Sequence, residues 1–231
     1  MADDNRPIKY IRYAIGEIVL VVIGILIALQ INTWNQEFQH KKLEKKTLEN
    51  IKEDLLLQME IIEMQLNFEN KALAHADSSL MIVKSKMDVM NLTRLLDSLS
   101  ERHTFVSNRV TFDNLGLAGN TTVMSNPDLQ NEIVRYYQLL EYTSSVINNN
   151  NLYRTNSQFG TYVVNNELGF RIDENGQADQ NYVLSPERRF TLQKQLDGRK
   201  YSSKNNIEKS EIQMDKTKIL LQLINEELEK K

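Results

Sequence analysis

The chain has 231 residues, of which 41% are hydrophobic and 26% are charged, with 28 Lys and Arg against 31 Asp and Glu. This composition excludes a disordered polymer, and a net charge of −3 gives no reason to expect a nucleic acid partner. The absence of cysteine excludes disulfides and thiol chemistry. Only eight Gly and three Pro interrupt the chain, so we expect long helices and few tight turns.

An apolar segment near the N-terminus predicts a transmembrane helix over residues 14–34, preceded by a short basic tail of residues 1–13. All residues of Ile18–Leu29 are apolar, and only Glu17 and Gln30 interrupt the wider apolar segment Ala14–Ile31. Twelve Ile, Leu and Val side chains in it contribute about 4–7 kcal/mol towards membrane insertion. The segment therefore has the length and the free energy of a single membrane span.

Aromatic residues flank this segment, with Tyr13 on one side and Trp34 on the other. Along a helix they are about 31 Å apart, close to the thickness of the hydrocarbon core, and they match the aromatic belts of membrane spans. No small-x-small cleavage site follows the apolar run. We therefore interpret the segment as an uncleaved anchor and not as a signal peptide.

A short basic tail followed by a large domain favours a cytoplasmic N-terminus with the bulk of the chain outside the cytoplasm. A large domain behind a short basic tail is translocated largely regardless of its charge. The charge rule alone is nearly balanced, because basic residues lie on both sides of the span: Arg6, Lys9 and Arg12 before it, and Lys41, Lys42, Lys45 and Lys46 after it. The four lysines are candidates for contact with anionic lipid headgroups. Interleaved Glu37, Glu44 and Glu49 favour instead an ordinary solvated helix face.

Residues 35–231 are predicted to form an all-α helical bundle, soluble and mainly extracytoplasmic. No Gly or Pro occurs between Gly24 and Gly116, and apolar residues recur there every seven positions. Glu69 is the one interruption of the first repeat. One helix over residues 10–97 would be about 130 Å long, so we expect a break near Asp77. The candidate cap of a new helix there is Asp77-Ser78-Ser79. The two repeats are Leu48, Leu55, Ile62, Ala76, Val83 and Met90, and Met59, Leu66, Leu73, Leu80 and Met87.

Two later helices have clear start signals, Asn126-Pro127-Asp128 and Ser185-Pro186-Glu187. The second helix carries Ile207, Met214, Leu221 and Leu228 at seven-residue intervals. We expect this long C-terminal helix to pack back, antiparallel, along residues 48–73. The alternative is that these apolar seams pair between subunits.

The segment between the two later helices, residues 158–185, is predicted as a loop or small hairpin. Tyr162-Val163-Val164 is β-prone, and Asp173-Glu174-Asn175-Gly176 is a turn signal.

Two blocks of sequence resemble a bacterial family of small single-span membrane proteins of unknown function. The first is the N-terminal signature AIGEIVLVVIGILIALQINTWN, residues 14–35, and the second covers residues 108–137. The resemblance implies a bacterial envelope protein, and it brings no activity with it. The motif positions shared in the second block are Asn108, Arg109, Thr111, Leu115, Gly119, Asn126, Leu129, Ile133, Tyr136 and Tyr137.

The candidate helix–helix interface is one face of the span that carries Glu17, Gly24, Ala28 and Asn35. Gly24 and Ala28 form a small-xxx-small pair, which lets two helices approach closely. An ionisable residue inside a span is by default a functional candidate, so Glu17 is expected to meet a partner helix. Snorkelling of Glu17 to the headgroups and proton or ion transfer are the alternatives.

The other polar candidates are weaker. Arg109, Thr111 and Asn126 either bind a ligand or cap and stabilise a loop. The three histidines are scattered without metal-ligand spacing, and no nucleophile or nucleotide motif occurs. We therefore predict no metal, no cofactor and no enzymatic activity.

Two functions follow from these features. The first is a membrane-anchored helical-bundle protein that acts as a structural or accessory subunit of a bacterial envelope complex and forms oligomers. It would reside in the inner membrane as a single-pass protein with a periplasmic C-terminal domain, and its partners would be the lipid bilayer and a second copy or another membrane protein. The alternative is a sensor-like extracytoplasmic module that binds a ligand or peptide and works through a partner.

Overall fold

A computed structural model describes residues 6–85, 89–117, 124–166, 168, 174–175 and 185–230. Every regular element among these residues is helical, which confirms the all-α fold. In chain order the elements are α1 (Arg6–Ser85), α2 (Val89–Ser100), α3 (Val110–Leu117), α4 (Pro127–Asn150), a π-helical segment (Asn151–Gly160), α5 (Thr161–Asn165) and α6 (Pro186–Glu229).

Helix α1 is 80 residues long, about 120 Å, and the rest of the chain folds along its C-terminal half. After α1 ends, α2 and the following segment run back towards its N-terminus. Hydrogen bonds mark this return: His75 with Ser98, Gln58 with the Asn108 backbone N–H, and Glu44 with Ser125. The connection therefore descends along α1 in antiparallel register and delivers the start of α4 to the level of Glu44.

Helix α6 packs antiparallel along α1, as predicted, and also along α4. Lys200 forms an ion pair with Asp77, and near the other end Asn126 donates to Glu227 at 3.0 Å. The buried side of α6 differs in part from the predicted seam. Of the four predicted residues only Met214 is buried. The other three, Ile207, Leu221 and Leu228, are half-buried, because they lie at the border of the α6 face that packs against the core.

The predicted break near Asp77 is wrong, because α1 continues through this position to Ser85. Ser78 and Ser79 do not cap a new helix. Their hydroxyls donate instead to the carbonyl oxygens of Ala74 and His75, one turn earlier, at 2.9 and 2.8 Å. A serine side chain bonded back in this way is compatible with an uninterrupted helix.

The helix start at Asn126 is confirmed: its side chain accepts from the backbone N–H groups of Asp128 and Leu129, and Pro127 occupies the first turn. Helix α6 likewise begins at Pro186. The structure differs from the predicted loop or hairpin at its beginning, since residues 158–165 are helical. Of the predicted turn signal, Glu174 and Asn175 are described and lie in a turn. Asp173, Gly176 and most of residues 167–184 lie outside the described residues, as does Met87.

The bundle contains two apolar clusters. The proximal cluster, nearer the apolar end of α1, joins α1, α4 and α6: Leu48, Ile51, Leu55, Ile62, Phe105, Leu129, Ile133, Tyr136, Tyr137, Leu140, Ile147, Met214, Leu220 and Ile224. The distal cluster joins the far end of α1 to α2, α5 and the start of α6: Ala72, Ala76, Ile82, Val83, Leu92, Leu95, Leu96, Leu99, Phe159, Val163, Leu168, Leu192 and Leu196. Between the two clusters the core is polar.

Candidate functional site

The N-terminal part of α1 stands clear of the bundle. Every residue from Tyr13 to Leu43 is exposed, and the first buried residue is Glu44. The twelve Ile, Leu and Val side chains of the apolar segment are between 48% and 74% exposed. Among the described residues, one helix is long and apolar enough to cross a membrane, and its apolar window has a mean hydropathy of 2.6 with no part of it buried.

The four predicted interface residues Glu17, Gly24, Ala28 and Asn35 all lie on this free part of α1 and are exposed. A side chain at Gly24 would meet nothing within 4 Å, so the bundle does not cover this face. The face is therefore available to an external helix or to lipid.

The most unusual feature of the bundle is a buried polar layer between the two apolar clusters. The core-facing positions of α6 follow the alternating three- and four-residue spacing of a coiled-coil seam. Leucine and isoleucine occupy this seam at both ends, but its middle is polar over six consecutive positions: Arg199, Ser203, Asn206, Ser210, Gln213 and Thr217. The other members of the layer come from α1, α4 and the π-helical segment: Gln58, Gln65, Glu69, Thr143, Asn151 and Thr155.

A buried ion pair between Glu69 and Arg199 lies at the centre of this polar layer. Neither side chain is accessible to solvent, and Arg199 Nη1 lies 3.4 Å from Glu69 Oε2. Three neutral groups also donate to the same carboxylate, Ser203 Oγ at 2.8 Å, Asn206 Nδ2 at 2.7 Å and Gln65 Nε2 at 3.1 Å. The Glu69 carboxylate is thus surrounded by four donors.

Arg199 is less completely satisfied than its partner. Its Nε donates to the Leu99 carbonyl oxygen at 3.1 Å, and its Nη1 also contacts Ser203. Its Nη2 is buried and has no hydrogen-bond partner among the described residues. Burial lowers the pKa of the Arg199 guanidinium, and the Glu69 carboxylate offsets part of this change.

The π-helical segment contributes to the polar layer through Asn151. Its side chain donates to the His103 carbonyl oxygen at 2.6 Å and accepts from Asn206 at 3.3 Å. From Asn151 to Val163, every fourth residue is buried. Residues at this spacing move gradually around the axis of an α-helix, which has 3.6 residues per turn, but they stay closer to one side of the wider π-helix. The π-helix therefore keeps one side of this segment against α6, where the polar layer ends and the distal cluster begins.

The predicted polar candidates Arg109, Thr111 and Asn126 hold the connection between α2 and α4 in place. Arg109 forms ion pairs with Asp113 and Glu141, and these contacts raise its pKa, the hydrogen bond with Glu141 most. The Thr111 N–H donates to Asp54 at 2.9 Å on α1. Asn126 caps α4 and also donates to Glu227 of α6. Each of them therefore has a structural contact, and the three do not come together in one site.

The sequence analysis did not predict the polar layer, although the sequence contains one signal of it. Glu69 interrupts an otherwise apolar seven-residue repeat. Nothing in the sequence indicated that Arg199, more than a hundred residues later, would be its partner. The second predicted repeat of α1 is only half-buried (Met59, Leu66, Leu73, Leu80), and the core positions beside it are Ile51, Gln58, Gln65, Ala72 and Ser79.

The described residues contain no group of His, Asp and Glu side chains that could hold a metal ion. Fold and site together define a helical bundle that carries one exposed apolar helix and a buried polar layer. The model of the family of unknown function DUF6090 matches residues 17–173, more than half of the chain. The chain belongs to this family. It matches no curated protein and no solved structure.

Proposed function

We propose that this chain is a membrane-anchored helical-bundle protein that serves as a structural or accessory subunit of a bacterial envelope complex. The anchor is the apolar segment of α1, residues 14–34, and the bundle lies outside the membrane. The resemblance of residues 14–35 and 108–137 to bacterial single-span proteins supports the bacterial origin.

One observation carries the anchoring: an apolar helix of membrane-spanning length stands free of the folded bundle. Exposed apolar patches of a few hundred Å² already mark interaction sites on soluble proteins, and here every side of the helix from Ile18 to Leu29 is apolar. A helix satisfies its own backbone groups, so lipid can surround it without cost to them. Lipid is therefore the environment that fits this segment.

We further propose an inner-membrane location with a cytoplasmic N-terminus and a periplasmic bundle. The short basic tail that precedes the span supports this orientation. The test uses two separate fusions after Lys231, alkaline phosphatase and a fluorescent protein that is active only in the cytoplasm. We expect phosphatase activity without fluorescence. Fluorescence without phosphatase activity would reverse the orientation and leave the span intact.

The span itself is proposed to associate with a second copy or with another membrane protein through Glu17, Gly24, Ala28 and Asn35. Small residues supply close packing where lipid gives no hydrophobic driving force, and a carboxylate on the same face gains by meeting a polar group. The bundle leaves this face uncovered, and nothing lies within 4 Å of a side chain placed at Gly24.

A bacterial two-hybrid membrane assay of residues 1–40 tests the interface. We expect Gly24→Leu to weaken association by bulk, Glu17→Gln to retain much of it, and Glu17→Leu to lose the polar contact. Gly16→Leu is the matched control, because Gly16 is equally open but lies about 80° around the helix from Gly24. Equal signals from wild type and Gly24→Leu at equal expression would show that the interface is assigned wrongly.

A further inference from the structure

Four lysines lie close together on α1 after its apolar segment, and we call them the lysine patch: Lys41, Lys42, Lys45 and Lys46. The four positions span fewer than two helical turns. All four are exposed, although Glu44, Thr47 and Leu48 beside them on α1 are buried. Within the described part of the chain, none of the four forms an ion pair, whereas Lys200, Lys209 and Lys230 do. The patch is therefore a concentration of positive charge that no ion pair within the described bundle neutralises.

The acid that lies between these lysines in the sequence does not neutralise them. Glu44 is only 3% exposed and points into the bundle. Its carboxylate accepts from the Ser125 backbone N–H at 2.7 Å and from the Ser125 hydroxyl at 2.8 Å. Folding thus withdraws Glu44 from the alternation of charges, and the exposed charged side chains from Lys41 to Lys46 are all basic, with exposed Glu37 and Glu49 one turn before and after them.

The position of the patch along α1 suits the headgroup layer of a bilayer. Lys41 lies about 10 Å beyond Trp34 along the helix axis, and the headgroup layer on each side of the hydrocarbon core is about 5–8 Å thick. Side chains on an α-helix lean towards its N-terminus, which here is the direction of the span, and lysine stems are long enough to reach back. Because α1 is unbroken from Arg6 to Ser85, this height is fixed by the helix.

We propose that the lysine patch binds the phosphate groups of anionic phospholipids in the leaflet from which α1 emerges. This inference rests on the proposed membrane anchoring and adds a lipid class to it. Zwitterionic lipids carry the same phosphate beside a compensating ammonium, so they offer the patch no net attraction.

Trp34 makes the proposal measurable, because it is the single tryptophan of the chain and lies next to the patch. The full chain is reconstituted into phosphatidylcholine vesicles that contain a trace of dansyl-labelled phosphatidylglycerol or of dansyl-labelled phosphatidylcholine. Energy transfer from Trp34 reports how often each lipid lies beside the helix. We expect about fivefold enrichment of phosphatidylglycerol, the factor that one lysine contributes near an anionic surface.

Replacing all four patch lysines by Gln should remove the enrichment, and replacing them by Arg should preserve it. The control removes the same charge at the far end of the bundle through Lys71→Gln, Lys84→Gln, Lys194→Gln and Lys204→Gln, four exposed positions, and should leave the enrichment unchanged. Equal transfer to both lipids in the wild type, or loss of enrichment in the distal control as well, would overturn the proposal. Absence of transfer to either lipid would overturn the anchoring itself.

Discussion

The N-terminal part of α1 and the middle of the bundle reverse the usual distribution of side chains. From Ile18 to Leu29 the side chains are apolar and exposed, whereas Glu69, Arg199 and their neighbours are polar and buried. In water the first region is unfavourable because nothing covers its apolar surface. The second is unfavourable unless each buried group finds a partner. Lipid resolves the first problem, and a set of directed hydrogen bonds resolves the second.

The two regions have different physical requirements. Insertion of the apolar helix into a membrane depends on the summed hydropathy of its residues, so many different apolar sequences would insert equally well. The polar layer depends on geometry, since Glu69 is satisfied only when α1 and α6 meet in one register. Buried ion pairs contribute little net stability compared with apolar replacements, and their best-attested use is to fix register. We therefore regard the polar layer as a determinant of register.

Placing charge in the apolar region should have the largest effect. Ile23→Lys with Ile27→Lys is expected to cost about 6–8 kcal/mol of insertion free energy, which cancels the favourable contribution of the whole segment. The protein should move from the membrane pellet to the supernatant after alkaline extraction. Leu56→Lys with Leu57→Lys, at exposed positions of the bundle, is the control and should stay in the pellet. Retention of the first variant in the pellet would contradict the span.

Breaking the buried pair should have the next largest effect. Glu69→Leu leaves the Arg199 charge buried and is expected to lower the free energy of unfolding by about 3–5 kcal/mol. Arg199→Leu should cost less, because Glu69 keeps three neutral donors. Urea unfolding of the full chain in detergent, followed by circular dichroism, measures both. A loss below 1 kcal/mol for Glu69→Leu would show that the pair is not buried as described.

Replacing both members of the pair together should separate stability from register. Glu69→Leu with Arg199→Leu is expected to be neutral or to stabilise the bundle by about 1–4 kcal/mol. Register is read from cysteines placed at Asp77 and Lys200, which pair across α1 and α6 in a chain that has no other cysteine, and joined by a short bifunctional thiol crosslinker. We expect the crosslink to form less completely in the double variant. Equal formation would refute the register role.

The smallest effects should come from two adjacent tyrosines at the edge of the polar layer. The Tyr136 hydroxyl lies 3.0 Å from Thr217 Oγ1, whereas the buried Tyr137 hydroxyl has no partner among the described residues. Tyr136→Phe should therefore cost about 1 kcal/mol, and Tyr137→Phe should be neutral or stabilising. Equal effects of the two changes on urea unfolding would contradict the assigned hydrogen bonds.

The same tyrosines predict a loss of stability in alkali. Burial raises the pKa of Tyr136 and of Tyr137 above the ordinary value of 10.0. Below pH 10 both the folded and unfolded states keep the protons, and above it the unfolded state releases them first, so stability falls as the pH rises. Tyr137→Phe should make this fall shallower. Urea unfolding at a series of pH values from 8 upwards measures the slope.

Local signals in the sequence were enough to predict much of the fold. The apolar run of residues 18–29, the scarcity of breakers and the Asn-Pro-Asp start of α4 each act over a few turns of one helix, so no distant residue is needed to interpret them. The antiparallel packing of α6 was also predicted, because two long helices with apolar seams can cover each other within one chain. The serines at positions 78 and 79 misled the prediction, since a serine hydroxyl can either begin a helix or bond back within one.

The sequence was sufficient to locate the starts of α4 and α6 and the segment that is apolar enough for a membrane. The contents of the core became evident only in the folded bundle. The apolar repeats predicted a core of Leu, Ile and Met side chains. In the structure, however, six consecutive seam positions of α6 are polar, and the second of the two repeats predicted on α1 is only half-buried. Hydropathy cannot reveal this arrangement, because a polar residue becomes tolerable in a core only through partners such as Glu69 and Arg199, which lie 130 positions apart and meet after folding.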